Sequence, residues 1–171
     1  MKFKILYIAL FSSLVGFSQD VKWDVNLEGI STTKGIFSYA AVGMNFNKIK
    51  IQSGILLGQD YINNETALGW QADVLYFPNG VNTKAFNFLF TASLNYFNTK
   101  VSLNFSEVKT NFIQGTLGYG FTYFFHEKLA LKSTVGLGML LENRSFNFNT
   151  NDPANTWGFA GIISLGITYK L

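Results

Sequence analysis

The sequence predicts an all-β fold, an eight-stranded antiparallel up-and-down transmembrane β-barrel that is preceded by a cleavable signal peptide. Three observations carry this prediction. Apolar and polar residues alternate with a period of two in eight segments, which is the periodicity of β-strands. After the N-terminal segment, no stretch approaches the roughly 18 consecutive apolar residues that indicate a transmembrane helix. Only 13% of the residues are charged and 48% are hydrophobic, whereas soluble domains carry roughly 25% charged residues.

The composition excludes several other classes of protein. The chain has 171 residues, which suits one domain, and so much apolar mass is incompatible with disorder. It contains no cysteine, so disulfide scaffolds and cysteine-ligated metal sites are excluded. The formal charge of +3 is too small to indicate a nucleic-acid partner.

The first 18 residues have the pattern of a secretory signal peptide. Lys2 and Lys4 precede an apolar run at residues 5–15, and the small residues Gly16 and Ser18 stand where a signal peptidase reads the chain. The run is shorter than the roughly 20 residues that a membrane-spanning helix needs. We therefore predict a signal peptide at 1–18 and a mature β-barrel domain at 19–171.

Each of the first four predicted strands has one apolar face, and the strands differ in the residues on the opposite, polar face. Strand 20–29 alternates valine, tryptophan and leucine with charged residues and asparagine. Strand 36–46 is weaker, because alanine stands on both of its faces, at Ala40 and at Ala41. Strand 49–60 sets isoleucine and leucine against lysine, glutamine, glycine and aspartate, and strand 68–76 sets leucine, tryptophan, valine and tyrosine against glycine, glutamine and aspartate.

The last four predicted strands alternate apolar residues with polar residues and glycine. Strand 86–96 alternates phenylalanine, alanine and leucine with asparagine, threonine and serine. Strand 113–123 alternates isoleucine, leucine and aromatic residues with glutamine, threonine and glycine. Strand 129–142 sets leucine, valine and methionine against lysine, threonine, glycine and glutamate, and strand 159–171 alternates apolar residues with small ones.

The connections predict two different rims. We call the rim with the predicted short turns at 47–48, 78–84 and 126–128 the lower rim. We call the rim with the predicted long connections at 31–35, 61–66, 97–110 and 143–156 the upper rim. Short turns on one side and long loops on the other are typical of barrels that face two compartments. Apolar residues alternate within 97–110, so the flanking strands are expected to extend above the membrane. Loops 97–110 and 143–156 are candidate partner sites by strand addition, unless their hairpin packs on neighbouring loops.

The side chains on the polar face indicate that it lines the interior. Small residues suit the narrow interior of an eight-stranded barrel, and buried charges of both signs can pair across it. We expect a polar network in the lumen built from Asp24, Glu28, Lys50, Asp73, Lys132 and Glu142. Aromatic residues on the apolar face stand near strand ends, as in the belts at the two lipid–water interfaces. The predicted belt residues are Trp23, Tyr76, Phe86, Tyr123 and Tyr169 at the lower rim, and Trp70, Tyr96 and Trp157 at the upper rim.

The signal peptide, the eight strands and the final strand at 161–171 resemble the small outer-membrane β-barrel and porin-like families, which include OmpX, OmpW and the transmembrane domain of OmpA. The resemblance covers the whole mature chain and rests on pattern rather than on a motif. It implies a bacterial outer-membrane location with loops at the cell surface, and contact with outer-membrane lipid and lipopolysaccharide. It also implies that the barrel-assembly machinery reads strand 161–171, although this chain ends in Leu171, with Tyr169 two residues earlier, where those families often end in phenylalanine.

Candidate chemistry is sparse. His126 is the only histidine, and a lipid A hydrolase of this barrel type would follow it with serine at the second position, where this chain has Lys128. It also falls in a predicted turn at the lower rim, on the opposite side from lipid A. We therefore predict no catalytic, cofactor-binding or metal-binding residue.

The function expected from the sequence is a non-enzymatic structural or surface-interaction role. One alternative is an OmpW-like conduit for small hydrophobic solutes. Its only indication is four leucines on the polar face, which are Leu56, Leu75, Leu89 and Leu140. The other two alternatives are a lipid A-modifying hydrolase and a soluble lipocalin-like carrier.

Overall fold

The computed structural model describes residues 21–61, 64–81, 85–103, 106–146 and 154–171. None of these residues belongs to a helix that is long and apolar enough to cross a membrane. The predicted signal peptide lies outside the described residues. The strands are β1 (Lys22–Thr32), β2 (Gly35–Phe46), β3 (Ile49–Asp60), β4 (Thr66–Tyr76), β5 (Phe86–Leu103), β6 (Ser106–His126), β7 (Leu129–Phe146) and β8 (Ala154–Lys170).

The strands form one closed barrel in sequence order, which confirms the predicted fold class. Each strand pairs antiparallel with the next, and β8 closes the barrel by pairing antiparallel with β1. A path through directly paired residues that starts at Lys22 and crosses all eight strands returns to β1 at Thr32, ten residues further along. Barrels with a stagger of this kind tilt their strands by roughly 35–45°.

The barrel turns its apolar face outward, as the sequence predicts. Phe90 and Leu165 are 50% and 57% exposed, whereas Gln71 and Thr116 are 3% and 4% exposed. This alternation repeats along the strands, so the exterior is a continuous apolar surface and the polar residues are enclosed. In water such an exterior would be unstable, and in hydrocarbon it is the surface that contacts lipid.

The predicted alternation of short and long connections is wrong. The connection predicted at 31–35 is a two-residue turn between Thr32 and Gly35, in which the Thr32 hydroxyl accepts hydrogen bonds from the backbone amides of Lys34 and Gly35, both at 3.1 Å. At the lower rim, the connection between Tyr76 and Phe86 is longer than this predicted long one. The extra residues of the upper rim instead continue the strands, because each added pair satisfies backbone groups that a loop would leave to water.

The last four strands project above the first four, which confirms the predicted extension around 97–110. β5 loses its β4 partner after Asn98, and β8 gains its β1 partner only at Ile162. Beyond those points β5 to β8 still pair with one another, up to Leu103 with Ser106 and Arg144 with Ala154. We call this extension, formed by residues 99–103, 106–110, 142–146 and 154–160, the projecting sheet.

Candidate functional site

Two buried ion pairs lie in the interior and both involve β1. Lys50 Nζ on β3 lies 2.9 Å from Asp24 Oδ1, and Lys132 Nζ on β7 pairs with Glu28 Oε1. All four side chains are almost completely buried. Each charge therefore finds its partner inside the barrel, as buried charges must.

Neutral side chains complete the network around the carboxylates. Asp24 accepts hydrogen bonds from the side-chain amides of Asn26 and Asn45, each at 2.8 Å. Asn26 in turn accepts from Lys50 Nζ at 3.0 Å and from the Thr168 hydroxyl at 2.6 Å. The network thus ties β1 to β2, β3 and β8 as well as to β7.

Asp73 is held by neutral donors. Its carboxylate accepts hydrogen bonds from the amides of Gln52 and Gln71, both at 2.7 Å, and from the Tyr39 hydroxyl at 3.2 Å. The Gln52 amide also donates to Glu28 at 3.2 Å, so it joins Asp73 to the second ion pair. Of the six predicted network residues, the structure therefore brings together five.

The sixth, Glu142, is placed elsewhere. It lies near the upper rim, where it pairs with Lys34 Nζ at 2.9 Å and with Arg144 Nε. Neither partner was predicted from the sequence. Arg144 lies two residues after Glu142 on the same face of β7, so the spacing could have predicted their contact. Lys34 comes from the β1–β2 turn, and nothing in the sequence links it to Glu142.

Gly43 leaves room for the side chains of the polar network. A Cβ atom on Gly43 would lie 2.7 Å from Lys50 Cε and closer still to the Asp24 carboxylate. Small residues on the polar face therefore have the role that the sequence suggests, which is to leave room for long side chains that cross the lumen.

An apolar cluster fills the lumen above the ion pairs. The Phe97 ring, which is fully buried, lies 4.7 Å from the Phe37 ring and 4.8 Å from the Phe112 ring, measured between centroids. The expectation of a purely small and hydrophilic lining is therefore incomplete, because Phe97 and Phe112 lie outside or at the edge of the strands that the sequence predicted. We call this group the upper plug; its members are Ile30, Phe37, Tyr39, Ala41, Leu56, Ala67, Phe97, Phe112, Leu140, Ala160 and Ile162.

The four interior leucines do not form one apolar patch. Leu56 and Leu140 belong to the upper plug, whereas Leu75 and Leu89 form a separate cluster with Phe77, against which Val81 packs. All four leucines are at most 3% exposed. They contribute to packing at two levels of the barrel rather than to one continuous apolar path.

The predicted belt residues lie on the exterior near the two ends of the strands. Most of them are 43–66% exposed, and Tyr96 is half-buried with its hydroxyl donating to Asn111 Oδ1 at 3.1 Å. The lower set is Trp23, Tyr76, Phe86, Tyr123 and Tyr169, and the upper set is Trp70, Tyr96 and Trp157. Trp157 differs from the other seven in that it lies in the projecting sheet.

His126 lies in the exposed turn between β6 and β7. Its Nδ1 accepts a hydrogen bond from the backbone amide of Lys128 at 3.3 Å, which is a turn contact. Within the described part of the chain, no group of three or more histidine, aspartate and glutamate side chains is placed to hold a metal ion.

The projecting sheet has an open edge along β8. The backbone amide and carbonyl of Gly161 both turn toward Thr33, at 3.4 and 3.2 Å. Because backbone groups alternate sides along a strand, those of Phe159, Trp157 and Asn155 turn to the same side, where β1 has already ended. The side chains of Trp157 and Phe159 are 66% and 93% exposed, so this edge is apolar and, among the described residues, has no neighbouring strand.

The closed barrel and its apolar exterior define a membrane-spanning β-barrel, and solved structures share its fold. The N-terminal β-barrel domain of Pseudomonas aeruginosa OprF matches with a TM-score of 0.59 and 12% identity, over 88% of this chain and 97% of that chain. Neisserial surface protein A matches with a TM-score of 0.55 and 16% identity, over 88% and 96%. A major outer membrane protein from Thermus thermophilus matches with a TM-score of 0.54 and 13% identity, over 90% and 100%.

These likenesses show that the chain has the fold of the small outer-membrane barrels, which confirms the predicted resemblance at the level of fold. No protein-family model and no curated protein matches the sequence.

Proposed function

We propose that this protein is a non-enzymatic barrel of the bacterial outer membrane, with a sealed interior, that acts through its projecting sheet. The observation that carries the proposal is the open apolar edge of β8. An edge of this kind presents unpaired backbone donors and acceptors at alternate residues, which an extended segment of another protein can satisfy by strand addition. The exposed Trp157 and Phe159 side chains supply apolar contacts for the same partner.

The packing of the lumen supports a closed barrel rather than a solute conduit. The upper plug lies across the lumen above two ion pairs, and the second leucine cluster lies below it. Aqueous channels require many more strands than eight, and a filled core is the usual interior at this size. A path for hydrophobic solutes would need a continuous apolar lining, and the polar network lies between the two apolar clusters.

Photo-crosslinking in living cells tests the role of the edge. A photoactivatable phenylalanine analogue in place of Trp157 is expected to give discrete cross-linked species. The same analogue in place of Leu137, an outward residue of β7 that is 75% exposed, is the matched control. The substitution Asn155→Pro removes an amide that faces the open side, so it blocks strand addition while it leaves the β7–β8 ladder intact. Identical patterns at both positions, or patterns unaffected by Asn155→Pro, would refute the proposal.

Three further measurements test the remaining parts of the proposal. Cysteine labelling on intact cells is expected at Asn155→Cys and not at Asn47→Cys, since the two positions lie at opposite rims. Planar bilayers that contain the purified protein are expected to show no steady ionic conductance. Mass analysis of lipid A from expressing cells is expected to show every acyl chain retained. An open channel or a lost acyl chain would contradict the sealed, non-enzymatic barrel.

A further inference from the structure

Lysines accumulate at the lower rim without matching acidic residues. Lys22 begins β1, Lys48 lies in the β2–β3 turn, Lys128 lies in the β6–β7 turn, and Lys170 ends β8. The first three are exposed and Lys170 is half-buried. Among the described residues of this rim, the one exposed carboxylate side chain is Glu127, so the lysine side chains outnumber the exposed acidic side chains there.

None of these four lysines takes part in an ion pair with the described residues. Asp24, which lies opposite Lys170 in the register of β1 and β8, is buried and already paired with Lys50. Two of the lysines instead lie over aromatic rings. Lys170 Nζ is 3.7 Å from the centroid of the Phe124 ring, and Lys128 Nζ is 5.8 Å from that of Tyr169. Ring contacts hold a cation in place without neutralising its charge.

The upper rim shows the opposite arrangement. Lys34 and Arg144 both bind Glu142, so each of these two upper-rim cations has an acidic partner. The excess positive charge of the lower rim is therefore a feature of that rim and does not follow from the general composition of the chain, whose formal charge is only +3.

The exterior aromatic residues place the lysines at the level of lipid headgroups. Trp23, Tyr76, Tyr123 and Tyr169 are 43–47% exposed on the outer wall next to this rim. Amphipathic rings of this kind settle at the membrane–water interface, and lysine side chains beside them extend toward the phosphates. The charge at this depth is complementary to a membrane leaflet that contains anionic phospholipid.

We propose that the lower rim is a binding surface for the phosphate groups of anionic phospholipids, with Lys22, Lys48, Lys128 and Lys170 as the contacting residues. The inference rests on the proposed membrane location and adds a lipid preference to it. A lysine near an anionic surface strengthens attraction by about 1 kcal/mol, which corresponds to roughly fivefold in affinity. The turn lysines Lys48 and Lys128 are suited to substitution, because neither side chain packs in the lumen.

The experiment measures the lipid preference of the full chain in phosphatidylcholine membranes. Spin-labelled phosphatidylglycerol and spin-labelled phosphatidylcholine report, by electron spin resonance, the association constant of each lipid with the barrel surface. The wild type is expected to prefer phosphatidylglycerol. The double variant Lys48→Gln/Lys128→Gln is expected to lower that preference at least about fivefold. Roughly 0.5 M NaCl should lower the wild-type preference to a similar extent, because salt screens the charges. The matched control, Lys100→Gln/Lys109→Gln, removes the same charge from the projecting sheet and is expected to change nothing.

Three outcomes would overturn the inference. The first is equal association of both lipids with the wild type, and the second is an equal loss of preference in both double variants. The third is displacement of phosphatidylglycerol by sodium phosphate but not by NaCl of the same ionic strength, because that result assigns the rim to free phosphate. Insertion is monitored separately by heat-modifiable electrophoretic mobility. A wild-type chain that fails to insert would refute the membrane location itself and the lipid surface with it.

Discussion

The substitution Lys132→Met tests whether the charged interior holds the barrel together. Lys132 is 3% exposed and its partner Glu28 is 5% exposed. When the lysine is removed, bulk water therefore cannot reach the Glu28 carboxylate and solvate its charge. Glu28 would keep one amide donor, Gln52 Nε2, at 3.2 Å. Breaking a buried pair in this way costs about 3–5 kcal/mol, since one charge remains without its partner.

The other ion pair offers an internal comparison. After Lys50→Met, Asp24 would still accept hydrogen bonds from Asn26 and Asn45, both at 2.8 Å. A hydrogen bond to a charged group contributes roughly 1.5–3 kcal/mol. We therefore expect Lys50→Met to cost at least about 1.5 kcal/mol less than Lys132→Met, because Asp24 retains one more good donor than Glu28 does.

Equilibrium urea unfolding in phospholipid vesicles, followed by tryptophan fluorescence, measures both losses. The double variant Glu28→Gln/Lys132→Met removes both charges and is expected to recover most of the stability lost by Lys132→Met, to within about 1 kcal/mol of the wild type. A Lys132→Met variant as stable as the wild type, or a double variant as unstable as the single one, would refute the idea that an unpaired buried carboxylate is the source of the loss.

Three further predictions concern the plug, the exterior and the glycines. Phe97→Ala empties a fully buried site between two rings and should lower the free energy of unfolding by about 3–5 kcal/mol, measured by the same urea titration. Leu165→Arg should cost about 2–4 kcal/mol in vesicles, and Ile36→Arg near the upper rim only about 0–1 kcal/mol; equal losses would contradict the assigned membrane depth. Gly54→Ala should prevent folding, judged by electrophoretic mobility, because its Cβ would overlap the backbone of Ala40. Gly115→Ala, whose Cβ would meet nothing within 4 Å, should fold normally.

The lower ends of the strands were predictable because turn chemistry marks them. Phe46, Ile49, Tyr76, Phe86 and Leu129 are strand ends both in the sequence analysis and in the structure. Asn47, with φ of 49°, supplies the left-handed residue that a tight turn between β2 and β3 needs. Apolar alternation stops abruptly there, so both signals agree.

The upper ends were predicted less well because the projecting sheet leaves the membrane. Outside hydrocarbon neither face of a strand has to be apolar, so the period-two signal becomes weaker although the ladder of backbone hydrogen bonds continues. β6, predicted at 113–123, accordingly runs over Ser106–His126. The same loss of signal hid Phe97 and Phe112, and with them the ring contacts of the upper plug.

The interior network shows a different limit of sequence reasoning. Alternation assigned all six charged residues to the polar face, and each of them is buried. It gave no information on which acid meets which base, because pairing depends on stagger and on side-chain length across the lumen. The pairs of Asp24 with Lys50 and of Glu28 with Lys132 follow only once the register around the barrel is known.

The position of these ion pairs constrains how the barrel can assemble. Both acids belong to β1, and the base that pairs with Glu28 belongs to β7, which β8 separates from β1 in the closed barrel. A sheet that entered the bilayer strand by strand would leave the Glu28 carboxylate without its lysine until β7 and β8 had inserted, at a cost of several kcal/mol. We therefore expect insertion and closure of the barrel to be coupled, with β1 and β8 meeting before the polar interior is exposed to acyl chains.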